Sequence, residues 1–154
     1  MTTVTVPERT RGLPSDRLRA TDPYRHLLLV RVVAAVPLLG IGLAHVFVAE
    51  APMQPLVEAA GFPFAAVVSP VAVAIQIVAG VSLLLGLWAR IGAALVVPVM
   101  LGAIYAHLVI DVWPNGAENE PPLALPILVL LSVGYVIWRG AGRWSLDERR
   151  TRSG

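Results

Sequence analysis

Residues 65–110 read AAVVSPVAVAIQIVAGVSLLLGLWARIGAALVVPVMLGAIYAHLVI. Arg90 is the one formally charged side chain among them. A helix rising about 1.5 Å per residue needs about 20 apolar residues to cross about 30 Å of hydrocarbon. Two such runs fit here, Ala65 to Trp88 and Ile91 to Ile110, joined at Trp88-Ala89-Arg90. A connection that tight forces neighbouring helices into an antiparallel hairpin. The stretch therefore predicts a membrane hairpin, with Arg90 marking the side on which its turn lies.

Reading outward, an earlier apolar run extends from about Leu27 to Ala49 and a later, shorter one from about Leu123 to Trp138. Pro121, Pro122 and Pro126 suit a helix start better than a helix interior. The arginines then sort themselves. Arg9, Arg11, Arg17, Arg19, Arg25 and Arg31 precede or open the first run, Arg90 lies in the hairpin turn, and Arg139, Arg143, Arg149, Arg150 and Arg152 follow the last run. The other two connections carry Glu50, Glu58, Asp111, Glu118 and Glu120 and no basic residue. Cytoplasmic loops retain Lys and Arg because translocating them is costly. The expected fold class is thus an all-α integral membrane protein, a four-helix transmembrane bundle with both termini cytoplasmic, in a bacterial inner membrane. Residues 1–25 read as a flexible cytoplasmic tail, 26–139 as the transmembrane domain and 140–154 as a cytoplasmic C-terminal tail. The first run, with its arginine-rich lead and Ala49-Glu50-Ala51, also resembles a signal peptide. Its apolar stretch is too long for one, so it is expected to be retained.

Composition agrees. The chain is 56% hydrophobic and only 14% charged, with a mean hydropathy of +0.73, too little polar surface to coat a soluble globule. The net charge of +2 does not indicate nucleic acid, because the arginines flank apolar runs and suit anionic lipid headgroups. With no cysteine, disulfides, iron–sulfur clusters and dithiol relays are excluded, so redox chemistry would need a bound cofactor or a partner. Trp88, Trp113, Trp138 and Trp144 fall at span ends, where indoles favour the headgroup zone. Gly40, Gly42, Ala79, Gly80, Ala93, Ala94, Gly102, Ala103 and Ala106 supply the small residues through which membrane helices approach one another. Pro37 and Pro98 are expected to kink their helices.

Counting turns places the polar residues in depth. His45 lies fourteen positions beyond Arg31 and Gln76 fourteen before Arg90, so both sit at roughly 21 Å from the inner surface. His107, seventeen beyond Arg90, sits at roughly 26 Å. Three hydrogen-bonding side chains from three helices thus converge on the outer half, with Glu50 and Asp111 just above. Polar groups at such depth tend to face the bundle or a wet cavity. His107 and Asp111, four apart, share a helix face, so the carboxylate could fix the imidazole tautomer. The alternative is that both face headgroups and water. His45 reads either as a core histidine satisfied by a carbonyl or Gln76, or as a contact for a quinone carbonyl or a proton. Arg31 reads either as snorkelling to the inner surface or as a clamp onto carbonyls at the inner end. Tyr105, Tyr135, Ser82 and Ser132 read as interhelical hydrogen-bond partners. No metal site is expected, since the spacing matches no closed set. Phosphate loops, nucleophile elbows and zinc-protease motifs are missing from the sequence. Ser145 with Glu148 three residues on fits a capping box, the start of a short helix after the last span.

Three stretches carry a resemblance: Leu29-Val30-Arg31 followed by small residues and His45; the run Gln76 to Arg90; and Gly140-Ala141-Gly142-Arg143-Trp144-Ser145-Leu146-Asp147. Together, over roughly residues 27–147, they resemble the DoxX family of small four-helix bacterial membrane proteins. The resemblance implies a membrane subunit beside oxidoreductases, like the related DoxD-type subunit of thiosulfate:quinone oxidoreductase. The family often carries a glutamate where this chain has Gln76, which hydrogen-bonds but does not titrate. The leading expectation is a membrane subunit of a redox system, with quinone as the candidate cofactor among His45, Gln76 and His107. Its candidate partners are the lipid bilayer, an oxidoreductase subunit and a second copy of the chain. Whether it is itself an enzyme stays open. A proton-coupled transporter would need a wet path from Gln76 toward Arg31. A scaffold would instead recruit partners through the arginine-rich termini.

Overall fold

The structure, a computed structural model, describes residues 24–48, 52–110, 122–142 and 144–152. The N-terminal tail before residue 24, Glu50, Asp111, Trp113 and the acids Glu118 and Glu120 lie outside the described residues, as do the calls made on them. Among the described residues every regular element is helical: α1 (His26–Phe47), α2 (Met53–Ala59), α3 (Ala65–Leu85), α4 (Ala89–Val109), α5 (Ala124–Arg139) and α6 (Leu146–Arg152). Helices α1, α3 and α4 are long and apolar enough to cross a membrane, and α5, with 16 residues, is apolar but shorter. The spans fall within three residues of the ends expected from hydropathy.

The four long helices pack in chain order around a bundle, α1 on α3, α3 on α4, α4 on α5 and α5 back on α1. Small residues set the spacing. A Cβ built on Gly80 would lie 2.7 Å from Leu39 Cγ, and one on Gly42 would lie 3.2 Å from Gln76 Cβ, so α1 and α3 approach closely only because both positions lack side chains. In the half that carries the hairpin turn the core is closed: Leu27, Ala34, Ala35, Leu83, Ala93, Val96, Val133 and Val136 are fully buried, as is Arg31. Outward-facing Leu29, Val78, Leu131 and their neighbours are exposed, as a lipid-facing surface requires.

Two features depart from the sequence reading. The connection 50–64 is not simply a loop, because residues 53–59 form a helix despite Pro55. That helix packs on α3. Proline also lies within α3, at Pro70, as well as in α1 and α4 at Pro37 and Pro98.

The hairpin turn is Gly86-Leu87-Trp88. Gly86 N–H donates to Leu83 O at 3.2 Å and Leu87 N–H to Ser82 O at 3.1 Å, closing α3 as a Schellman motif with Gly86 left-handed at φ 64°. Ser82 Oγ donates to Leu87 O at 2.6 Å, within its own turn, rather than across to another helix. Tyr135 does bridge helices, its hydroxyl 3.0 Å from His26 Nε2. Tyr105 instead meets Phe62 edge-on at 5.4 Å.

Candidate functional site

The closed end and the open end of the bundle are built differently. At the closed end the segment after α5 folds back onto the hairpin turn. Asp147, 2% exposed, accepts hydrogen bonds from Trp88 N–H (3.0 Å to Oδ1) and Ala89 N–H (3.2 Å to Oδ2), the unpaired donors at the start of α4. Its own N–H donates to Gly86 O at 3.0 Å. Ser145 caps α6, accepting from Glu148 N–H at 3.1 Å, while Glu148 Oε2 accepts from Trp144 N–H, one residue before the position a standard capping box uses. Arg31 does not snorkel. It is fully buried, and its Nη1 lies against Gly86. None of its guanidinium nitrogens has a hydrogen-bond partner, so the expected clamp onto carbonyls is absent among the described residues. Arg31 belongs to the lock that holds the end of the chain, not to a site for a ligand.

At the other end the bundle opens into a cavity of about 640 Å³ between α1, α3, α4 and α5, with α2 against it. That size suits a drug-sized molecule. The walls are almost wholly apolar, with Ile41, Val71, Val99 and Val129 from the long helices and Met53, Leu56 and Val57 from α2. Three polar side chains interrupt them: His45 from α1, Gln76 from α3 and His107 from α4. The structure thus brings together the three side chains that turn counting set at similar depth. Glu50 and Asp111, expected beside them, lie outside the described residues.

Each polar residue is held differently. Gln76 is 4% exposed, and its Oε1 has no hydrogen-bond partner. Leaving a buried acceptor unpaired costs about 1–3 kcal/mol. His107 Nδ1 lies 2.7 Å from Ala103 O. A carbonyl oxygen only accepts, so Nδ1 carries the proton and the backbone of α4 itself fixes the tautomer. His45 is half-buried at the cavity wall. Helix α2 as a wall goes unread in the sequence analysis, although Met53, Leu56, Val57 and Ala60 recur at helical spacing and line the cavity.

Among the described residues no three His, Asp or Glu side chains gather closely enough to hold a metal ion.

The family model described as DoxX matches residues 26–108, which take in α1 to α4 and the cavity's three polar side chains. An uncharacterized membrane protein of Mycobacterium tuberculosis is 31% identical over 102 residues, covering 62% of this chain and 63% of that protein. The chain therefore spans just under two thirds of that relative's length. No solved structure matches.

Proposed function

The chain belongs to the DoxX family of membrane proteins, and from that starting point we propose that it is the membrane subunit of a redox system, holding a lipid-soluble quinone-type molecule in the cavity between its helices. One observation carries the reading. A cavity of about 640 Å³ with apolar walls places His45, Gln76 and His107 from three different helices against the same space. Apolar walls would accept a ring and tail, and the polar groups would orient its oxygens. A bound quinone supplies two-electron chemistry, which no side chain of this cysteine-free chain carries. The side chains bind and orient. Gln76 offers a neutral hydrogen bond and not a proton, so a proton-carrying role falls to the imidazoles.

In this reading α5 also crosses the bilayer, at its thin end of the length range. Both ends of the chain lie on the arginine-rich cytoplasmic side, and the cavity faces the outer half. An oxidoreductase subunit would dock on the cytoplasmic arginines or on the outer rim beside α2. The test is extraction of the protein purified from bacterial membranes, with the absorption spectrum recorded before and after reduction. A redox-active spectrum lost in His45→Ala supports the proposal. A purified protein with no such spectrum, and a His45→Ala strain with an unchanged redox phenotype, sinks it.

A further inference from the structure

The closed end of the bundle carries more positive than negative charge among the described residues. Arg25, Arg90, Arg139 and Arg149 stand there beside Asp147 and Glu148. Both acids accept from backbone N–H groups, Asp147 from Trp88 and Ala89 and Glu148 from Trp144. Along one edge the cations are tied to aromatic side chains. Arg90 Nη2 donates to Trp138 O at 3.3 Å, joining the start of α4 to the end of α5. The Arg139 guanidinium lies 4.7 Å from the centre of the Trp138 ring and 5.8 Å from that of Tyr24. Tyr24 stacks on His26 at 5.3 Å, and His26 Nε2 lies 3.0 Å from the Tyr135 hydroxyl. These rings are not core, since Trp138 is 69% exposed and Tyr24 49%. Leu131 and Gly134 precede Trp138 at helical spacing on α5, so they share its face. Leu131 is exposed, and open space stands where a side chain of Gly134 would be. An apolar face with a notch at Gly134 therefore runs up to the two guanidinium groups.

We infer that this edge binds one anionic glycerophospholipid, with its phosphodiester at Arg90 and Arg139, its glycerol on the Trp138 indole and an acyl chain along Leu131 and Gly134. Charge selects the lipid. A headgroup without an ammonium leaves its negative charge for the guanidinium groups, whereas a choline headgroup neutralises its own phosphate. The rings set the depth, because indole and phenol rings settle at headgroup level. The inference does not depend on what the cavity holds. It takes from the proposed function only that α5 lies in the bilayer.

The experiment is native mass spectrometry of the full chain in detergent micelles, titrated with palmitoyl-oleoyl phosphatidylglycerol, the phosphatidylcholine with the same chains, and glycerol phosphate. Phosphatidylglycerol is expected to bind at least about fivefold more tightly than phosphatidylcholine. Arg90→Gln is expected to weaken phosphatidylglycerol binding at least about threefold, while Arg9→Gln, the same charge change ahead of the first span, shifts it less than about 1.5-fold. Gly134→Leu, which fills the notch, is expected to weaken both lipids and leave thermal unfolding unchanged. Equal binding of the two lipids, or equal losses in Arg90→Gln and Arg9→Gln, overturns the site in favour of diffuse attraction to a charged surface. Displacement of phosphatidylglycerol by an equal concentration of glycerol phosphate overturns it in favour of a free phosphate. Unchanged lipid binding in Gly134→Leu overturns the seat along α5. If Arg90→Gln does not fold, the three-ligand comparison on the unaltered chain and Gly134→Leu decide.

Discussion

Replacing Asp147 with alanine tests the inner lock. The carboxylate is 2% exposed and accepts from two N–H groups at the start of α4, at 3.0 and 3.2 Å. Losing a charged acceptor costs about 1.5–3 kcal/mol for each such bond. The expected loss for Asp147→Ala is therefore about 3–6 kcal/mol, from the two bonds together. Asp147→Asn keeps an amide oxygen for one N–H and loses the charge, so it should fall between the two. Arg31→Met with Asp147→Ala should be more stable than Asp147→Ala alone, because no buried cation is left unpaired. The assay is reversible unfolding in mixed dodecyl maltoside and SDS micelles, followed by tryptophan fluorescence. Asp147→Ala lying within about 0.5 kcal/mol of the unaltered chain would refute the reasoning. So would a double variant less stable than the single one.

Other outcomes follow from the same geometry. Gly86→Ala should cost about 2–4 kcal/mol in that assay, because φ 64° disfavours a side chain and a Cβ there overlaps Arg31 Nη1 and stands 2.5 Å from Ser145 Cβ. Gly80→Ala should cost about 1–3 kcal/mol, because the new methyl would press on Leu39 from 2.7 Å, and Leu39→Ala should restore part of the loss. Gln76→Leu, by removing an unpaired buried oxygen, should leave the ligand-free protein as stable as before or up to about 2 kcal/mol more so. An alkaline phosphatase fusion after Trp138 should be inactive in cells, as a cytoplasmic position requires, and an active fusion would overturn the arginine-based topology.

The fold was legible where a single physical rule dominates. Hydropathy marked α1, α3 and α4 because lipid tolerates only long apolar helices, and the short connection implied the hairpin, although its turn lies at Gly86-Leu87-Trp88 and not at Trp88-Ala89-Arg90, where α4 has already begun. Depth counting from Arg31 and Arg90 brought His45, Gln76 and His107 to one level because helical rise is constant. The illegible parts are non-local. Helix α2 looked like a Pro-rich outer connection, since seven residues with an internal proline carry little helical signal, and its apolar side has meaning only against a cavity the chain builds elsewhere. Asp147 lies in a tail whose sequence announces only the start of a short helix. Its bonds to Trp88 and Ala89 cross 59 and 58 positions of sequence, which no local pattern shows. Nδ1 of His107 turns to the carbonyl four residues before it, a bond within its own helix that no spacing of side chains announces.

The most direct measurement is native mass spectrometry of the protein released from bacterial-membrane nanodiscs, comparing the unaltered chain with Gly102→Leu. Gly102 lines the cavity, and a Cβ there meets nothing closer than 3.6 Å, so the variant should fold while its larger side chain takes up ligand space. A single lipid-soluble adduct on the unaltered chain, missing from Gly102→Leu, is the expected result. Identical spectra, with no small molecule retained by either protein, would contradict a ligand site at the outer end of this bundle.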